Sequence, residues 1–260
     1  MYGQQIGPVK RVISKIIIGG ALKNVDLLGV RDKKSIKEAM LLGVDSANVF
    51  YSGDEGAYLT PSADEVAINF LMEAGVPKEF IAVHFRIDEN CPFERYIDNY
   101  VGLIGKICQD LHINNIVLIP MSYSKNDTDD LAAIKLLEKK LKQVAFILDI
   151  GPKPDLTKAI LKKASFAVGL ANHFCIFSLS VGTPTVGVFA TEYMKQKLSG
   201  IKEAYTGFEC LSVAKFTDTD PKINQLLQSI KHGNAHVCFR HSSNEFGKPD
   251  GYNNLAKVVS

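Results

Sequence analysis

Two places in this sequence combine a reactive side chain with a position where α/β proteins bind ligands. Arg86 directly follows the compact apolar, β-branched run Phe80 to Phe85. A guanidinium there offers fixed N–H donors that match a carboxylate or a phosphate. Asn172 and His173 follow a second apolar run, Phe166 to Gly169, and precede the helical stretch Phe174 to Val181. A helix start carries partial positive charge and exposed N–H groups, so it also favours an anion. Asn172 is the expected N-cap, which places His173 in the first turn, facing whatever anion docks there. An imidazole titrates near neutral pH and can supply a proton at that spot. Lys195, beyond the run Thr185 to Phe189, is a further candidate for holding substrate.

Each of these residues also has a plain structural use. On spacing alone, an arginine after a strand is more often a surface ion-pair partner than an anion clamp. A histidine at a helix start divides about evenly between cap and site. The lysines around Lys195 fit a solvated face, and Ser122 and Tyr123 fit a loop. Ser180 to Pro184 is a tight helix-to-strand turn in which Gly182 suits the helix end. Arg31 and Asp32 read as a structural pair. What favours a site is that several of these signals fall at strand ends of what should be one sheet.

The elements that must position them alternate regularly. Apolar runs at 80–85, 116–119, 145–148, 166–169 and 185–189 read as strands. Helical spacing covers 93–111, 131–141, 156–164, 174–181 and 194–199. Near-continuous apolar strands separated by single helices imply a parallel sheet covered on both faces. The expected fold is therefore α/β, a doubly wound, Rossmann-like parallel sheet at residues 62–215. In such sheets ligands bind beyond the carboxyl ends of the strands, which is where Arg86, Asn172 and His173 stand. Residues 1–61 read as a partial N-terminal βαβ unit, preceded by a helix over 10–22. Its strands lie at 27–30 and 48–50, and Ser35 with Glu38 is expected to form a capping box. Residues 216–260 are expected to hold a C-terminal helix and a turn-rich polar tail.

Composition narrows the function class. The chain has 260 residues, 46% hydrophobic and 22% charged, with a formal net charge of +2. These values exclude disorder and give no field that would point to nucleic acid. The five cysteines form no C-x-x-C pair, so no metal site is expected, and their scatter suits a reducing cytoplasm. No segment reads as a signal peptide, and Ile16 to Leu22 is too short to span a bilayer.

The motifs together resemble the polysaccharide pyruvyl transferases. The resemblance is carried by Gly3-Gln4-Gln5-Ile6-Gly7-Pro8, then Leu28-Gly29-Val30-Arg31-Asp32 with Ser35, then Leu42-Gly43-Val44. Ser52 to Leu59 is similar to that family's D-P-A-F-L segment, and Ala164 to Val188 to its C-terminal signature. The likeness runs over roughly residues 3 to 200, and order and spacing make it specific. It implies a GT-B-like fold whose C-terminal half is the large domain, with most of the N-terminal half expected to be absent. It implies transfer of a pyruvyl group from phosphoenolpyruvate to two hydroxyls of a cell-surface sugar as a cyclic ketal, with release of phosphate. By the same resemblance His173 matches the general acid of an R-x-H motif, and Arg86 matches an arginine that binds the donor's anionic groups. Ala171 stands where that motif has its arginine. The implied partners are phosphoenolpyruvate and a sugar or glycan acceptor, with no further cofactor. Peripheral membrane association and a homo-oligomer stay open.

Two other readings stand beside this one. A GT-B glycosyltransferase would bind a nucleotide sugar, with Glu192 as its best-placed carboxylate. A catalytically inactive remnant would bind glycan without releasing phosphate.

Overall fold

The structure is a computed structural model that describes residues 1–87, 93–123, 130–217, 220–234 and 236–239. Cys91 and the turn-rich stretch around Gly247, Pro249 and Gly251 lie outside the described residues. The fold divides into two compact units, Met1–Tyr58 with Phe239–Ser260, and Leu59–Cys238.

The smaller unit is built on a parallel pair, β1 (Leu28–Val30) and β2 (Val49–Tyr51), with Leu28 opposite Val49. Helices α1 (Val12–Leu22) and α2 (Lys33–Leu41) accompany the pair. Leu22, Leu28, Val30, Ile36, Ala39, Leu42, Val44 and Val49 form the core of this unit. The opposite face of α1 leaves Val12, Ile13, Ile16 and Ile17 exposed. The expected capping box takes a different form. Helix α2 begins three residues earlier, at Lys33, and its cap is Asp32, whose carboxylate accepts the Ser35 N–H at 2.7 Å. An Asp directly before the first helical residue reaches that N–H without help, so Ser35 and Glu38 are free for other work. The Ser35 hydroxyl accepts the Ile6 N–H, and Glu38 accepts the Val9 N–H, both at 2.9 Å. Arg31 pairs with Asp54 at 3.3 Å and also donates to Gln5. The conspicuous motif residues of this unit thus tie the N-terminal segment down.

The larger unit opens with α3 (Asp64–Glu73) and continues β3 (Ile81–Val83), α4 (Ile97–Leu111), β4 (Asn115–Leu118), α5 (Asp130–Glu138), β5 (Val144–Ile147) and α6 (Pro154–Leu161). It then runs through β6 (Phe166–Gly169), α7 (Asn172–Ser180), β7 (Thr185–Phe189), α8 (Glu192–Ala204), β8 (Phe208–Ser212) and α9 (Pro221–Lys231). All six strands pair in parallel, in the order β5-β4-β3-β6-β7-β8. The chain starts at the middle of the sheet, winds outward to β5, crosses back to β6 and winds out the other way. This is the doubly wound arrangement, and its direction reverses between β3 and β6.

Strand β8 and helix α3 lie where the apolar pattern gave no assignment. Strand β8, Phe-Glu-Cys-Leu-Ser, is the edge strand beside β7 and buries only Phe208 and Leu211, so it lacks the continuous apolar run of the inner strands. Helix α3 buries only Ala67 and Leu71, so its apolar stripe is thin. Helix α9 belongs with the larger unit. Asp220 caps it, Pro221 fits its first turn, and Ile223, Leu226 and Leu227 enter the main core.

That core is apolar and tightly layered. Ile81, Val83, Ile116, Leu118, Phe166, Val168, Val186 and Val188 line the sheet, and Tyr100, Leu103, Ile104 and Ile107 of α4 cover it. Each such side chain contributes about 1.5–3 kcal/mol by leaving water. Helix α4 ends at His112, whose φ of 57° is left-handed, and Ile113 N–H bonds back to the Cys108 carbonyl at 3.1 Å. Among the described residues, no helix is long and apolar enough to cross a membrane.

Candidate active site

The point where β3 and β6 part is where the sheet opens a crevice at its carboxyl edge. The backbone ladder between them extends past the strands: His84 N–H donates to the Val168 carbonyl at 2.9 Å. Beneath it the hydroxyl of buried Tyr100 is shared between the carbonyls of His84, at 2.9 Å, and Val168, at 3.2 Å. Gly169 then ends β6 under the ring of Phe174; a Cβ there would stand 2.2 Å from Phe174 Cδ1. Only glycine lets the first turn of α7 lie this close to the strand it follows.

A buried carboxylate organises the crevice. Asp130, the first residue of α5, has no exposed side-chain surface. Its Oδ1 accepts from Arg86 Nε at 2.7 Å. Its Oδ2 accepts from Arg86 Nη2 at 3.2 Å, His84 Nε2 at 3.1 Å, and the N–H groups of Met121 and Ser122 at 2.8 Å each. One carboxylate therefore gathers the segments after β3 and β4. Burial alone would raise its pKa, but the hydrogen bond from His84 and the bonds and charge of Arg86 outweigh that and hold it well below the usual carboxylate range.

His84 carries the network across to α7. Its Nδ1 accepts the Ala171 N–H at 3.3 Å, so Nε2 carries the proton toward Asp130. Burial pushes its pKa down, against the pull of Asp130, so the ring is neutral. Its ring lies 5.5 Å from that of Phe174.

Asn172 does not cap α7. Ala171 occupies the N-cap position and Asn172 is the first helical residue. Alanine has no side-chain acceptor, so the helix opens without a side-chain cap. The Asn172 Oδ1 is buried with no hydrogen-bond partner among the described residues, as is the Tyr123 hydroxyl in the segment after β4. Burial, with Asp149 next in effect, pushes Tyr123 up to about 12. Buried polar atoms of this kind are rare and mark places where a ligand or water completes the bonding.

The candidates named from sequence are placed as follows. Arg86 sits at the crevice with 31% of its side chain exposed, oriented by Asp130. His173 is exposed in the first turn of α7, its ring 6.3 Å from Phe177. Lys158 of α6, not among the candidates named from sequence, lies over the same Phe177 ring at 5.8 Å and is pushed down to about 8 by burial. Lys195 stands in the first turn of α8, paired with Glu192 at 3.2 Å on the helix surface. The structure thus links Arg86, through Asp130 and His84, to Ala171, which directly precedes Asn172 and His173, and leaves Lys195 in a surface ion pair. Sequence reasoning missed His84, Asp130 and Tyr100. A histidine inside an otherwise apolar strand was the available signal for His84. Nothing in the run Asp127-Thr128-Asp129-Asp130 singles out Asp130. Among the described residues no cluster of three or more metal-ligating side chains occurs.

A model of the polysaccharide pyruvyl transferases matches residues 1–193. The chain belongs to the polysaccharide pyruvyl transferase family. No curated protein matches it. Among solved structures it is similar to UDP-GlcNAc 2-epimerase from Methanocaldococcus jannaschii, with a TM-score of 0.52 and 12% identity. The likeness covers 90% of this chain and 62% of the epimerase. It is also similar to the UDP co-structure of MnaA from S. aureus, with a TM-score of 0.52, 12% identity, 90% of this chain and 58% of that one. The chain thus spans about three fifths of the length of these structures. Identities this low establish the fold alone, a Rossmann-like α/β fold of the GT-B type. Within the pyruvyl transferase family, this chain places alanine at the start of α7 and uses its N–H to engage His84.

Proposed function

We propose that the protein is a polysaccharide pyruvyl transferase that binds phosphoenolpyruvate in the crevice between β3 and β6 and transfers its pyruvyl group to a sugar. The observation that carries this reading is the meeting of an oriented arginine, Arg86, with the uncapped first turn of α7 at the switch point, in a chain of this family. A guanidinium and a helix N-terminus both favour the carboxylate and phosphate of such a donor. The buried Asn172 Oδ1, without a hydrogen-bond partner among the described residues, suits a hydroxyl donor, which a sugar has in abundance.

The chemistry would run in two additions. His173 gives a proton to C3 of phosphoenolpyruvate, which turns the methylene into a methyl and leaves cationic character at C2. A sugar hydroxyl bonds to C2 and its proton passes to His173, which restores the acid. The C2–O bond to phosphate then breaks, the second hydroxyl bonds to C2, and its proton leaves with the phosphate. The products are a cyclic ketal and inorganic phosphate. Lys195 would assist as a further cation only if it left Glu192.

A binding comparison tests the reading. Phosphoenolpyruvate should raise the melting temperature of the protein, and nucleotide sugars should not. Stabilisation by a UDP-sugar with no response to phosphoenolpyruvate would overturn it in favour of glycosyl transfer from a nucleotide donor. Glycan binding with neither response would mark an inactive glycan-binding protein.

A further inference from the structure

We propose that Asp130 and His84 are positioning residues that hold Arg86 and the first turn of α7 in one fixed relation. The inference rests on the reading of the crevice as the donor site. Asp130 grips the guanidinium along its Nε and Nη2 edge, which fixes the plane and the direction of Arg86. The same carboxylate receives Nε2–H of His84, and the far nitrogen of that ring receives the Ala171 N–H. Ala171 is the N-cap of α7, so its amide sets where Asn172 and His173 begin. The remaining Asp130 bonds, to the Met121 and Ser122 amides, tie in the segment after β4. The two side chains at its centre, His84 and Asp130, have no exposed surface, so the middle of the relay is dry rather than a solvated contact.

The arrangement explains a feature that local rules do not. Three segments leave the sheet at β3, β4 and β6, and each could drift independently. A single carboxylate fixes all three, and the neutral imidazole is the spacer between it and α7. An arginine and a general acid held this way keep their geometry to within the tolerance that positioning requires. The roles divide cleanly. Asp130 acts on both sides of the donor, and His84 acts on the α7 side alone.

Two variants separate those roles. His84→Gln keeps an N–H toward Asp130 but removes the acceptor for Ala171. Asp130→Asn removes the charge that grips Arg86. Hydrogen exchange of the folded proteins gives the first readout, which needs no substrate. His84→Gln should speed exchange at Ala171 and the first turn of α7 by about tenfold or more and leave the β3–β4 and β6–β7 amides protected. Asp130→Asn should loosen that turn and the Met121 and Ser122 amides together. Kinetics with phosphoenolpyruvate gives the second readout. His84→Gln should lower kcat by about a hundredfold with KM for phosphoenolpyruvate nearly unchanged, while Asp130→Asn should also raise KM. An α7 first turn that exchanges as in the parent in both variants overturns the relay. So does a uniform loss of protection across the sheet, which would make the pair merely structural. A parent protein that shows the exchange pattern but does not turn over phosphoenolpyruvate leaves the relay standing and removes the donor assignment instead.

Discussion

The neutral, buried state of His84 makes a prediction about acid stability. Protonating Nδ1 would set its new N–H against the Ala171 N–H it now accepts, and would place a cation beside Arg86 in a dry interior. The native state therefore resists the proton, and burial is the first cause of the downward shift. The unfolded chain takes that proton below its ordinary value of about 6.5. A group whose folded pKa is depressed lends stability that is complete above the unfolded pKa and lost as pH falls below it. For one proton bound only by the unfolded chain the loss approaches about 1.4 kcal/mol per pH unit. From pH 6.5 down to 5 that limit amounts to about 2 kcal/mol. Asp130 also has a depressed pKa, but its own window opens only below about pH 4, the ordinary value for an aspartate. The two contributions are thus separable. Guanidinium unfolding of the parent and of His84→Gln, measured from pH 7.5 to 5, checks this. The parent should lose stability across the window by up to the stated limit more than the variant does. Parallel curves for the two proteins would refute a neutral His84.

Two further outcomes follow from the packing around the site. Gly169→Ala should destabilise the protein by about 1–3 kcal/mol, because its Cβ would stand 2.2 Å from a fully buried ring; a melt unchanged from the parent would contradict the close approach of α7 to β6. Under native conditions a small alkylating reagent should modify exposed Cys238 and spare Cys108 and Cys175, which are buried and whose thiols burial pushes up, Cys108 to about 11; peptide mapping by mass spectrometry reads the order, and early labelling of Cys175 would contradict the core as described.

Much of the larger unit was legible because its strands are near-continuous runs of Ile, Val, Leu and Phe. Such runs mean a sheet buried on both faces, and the alternation with helices then leaves few topologies. Strand β8 escaped because an edge strand half in water needs only Phe208 and Leu211 inside. The start of α7 was found one residue late. Asparagine is the better cap by propensity, but the N–H of Ala171 is held by a histidine 87 residues away in the chain, and no local rule carries that information. Arg86 was recognised as a strand-end residue, and its partner was not. The Asp130 carboxylate comes at the end of a sequence run in which several aspartates look alike. What selects it is the burial and the five donors that the tertiary fold brings to it. The family motifs in the first sixty residues mark structure, since Arg31, Ser35 and Glu38 fasten the N-terminal segment and Asp32 caps α2.

The most direct test is phosphate release from phosphoenolpyruvate with a panel of glycans, with the acceptor followed by mass spectrometry for a pyruvyl ketal. The protein should release phosphate only with a suitable acceptor. His173→Ala, whose side chain is exposed and leaves the fold intact, should lower that rate by about 10²–10⁴-fold. Ketal formation at an unchanged rate in His173→Ala would contradict the role assigned to this histidine. No phosphate release with any acceptor, together with binding of a nucleotide sugar, would contradict the donor.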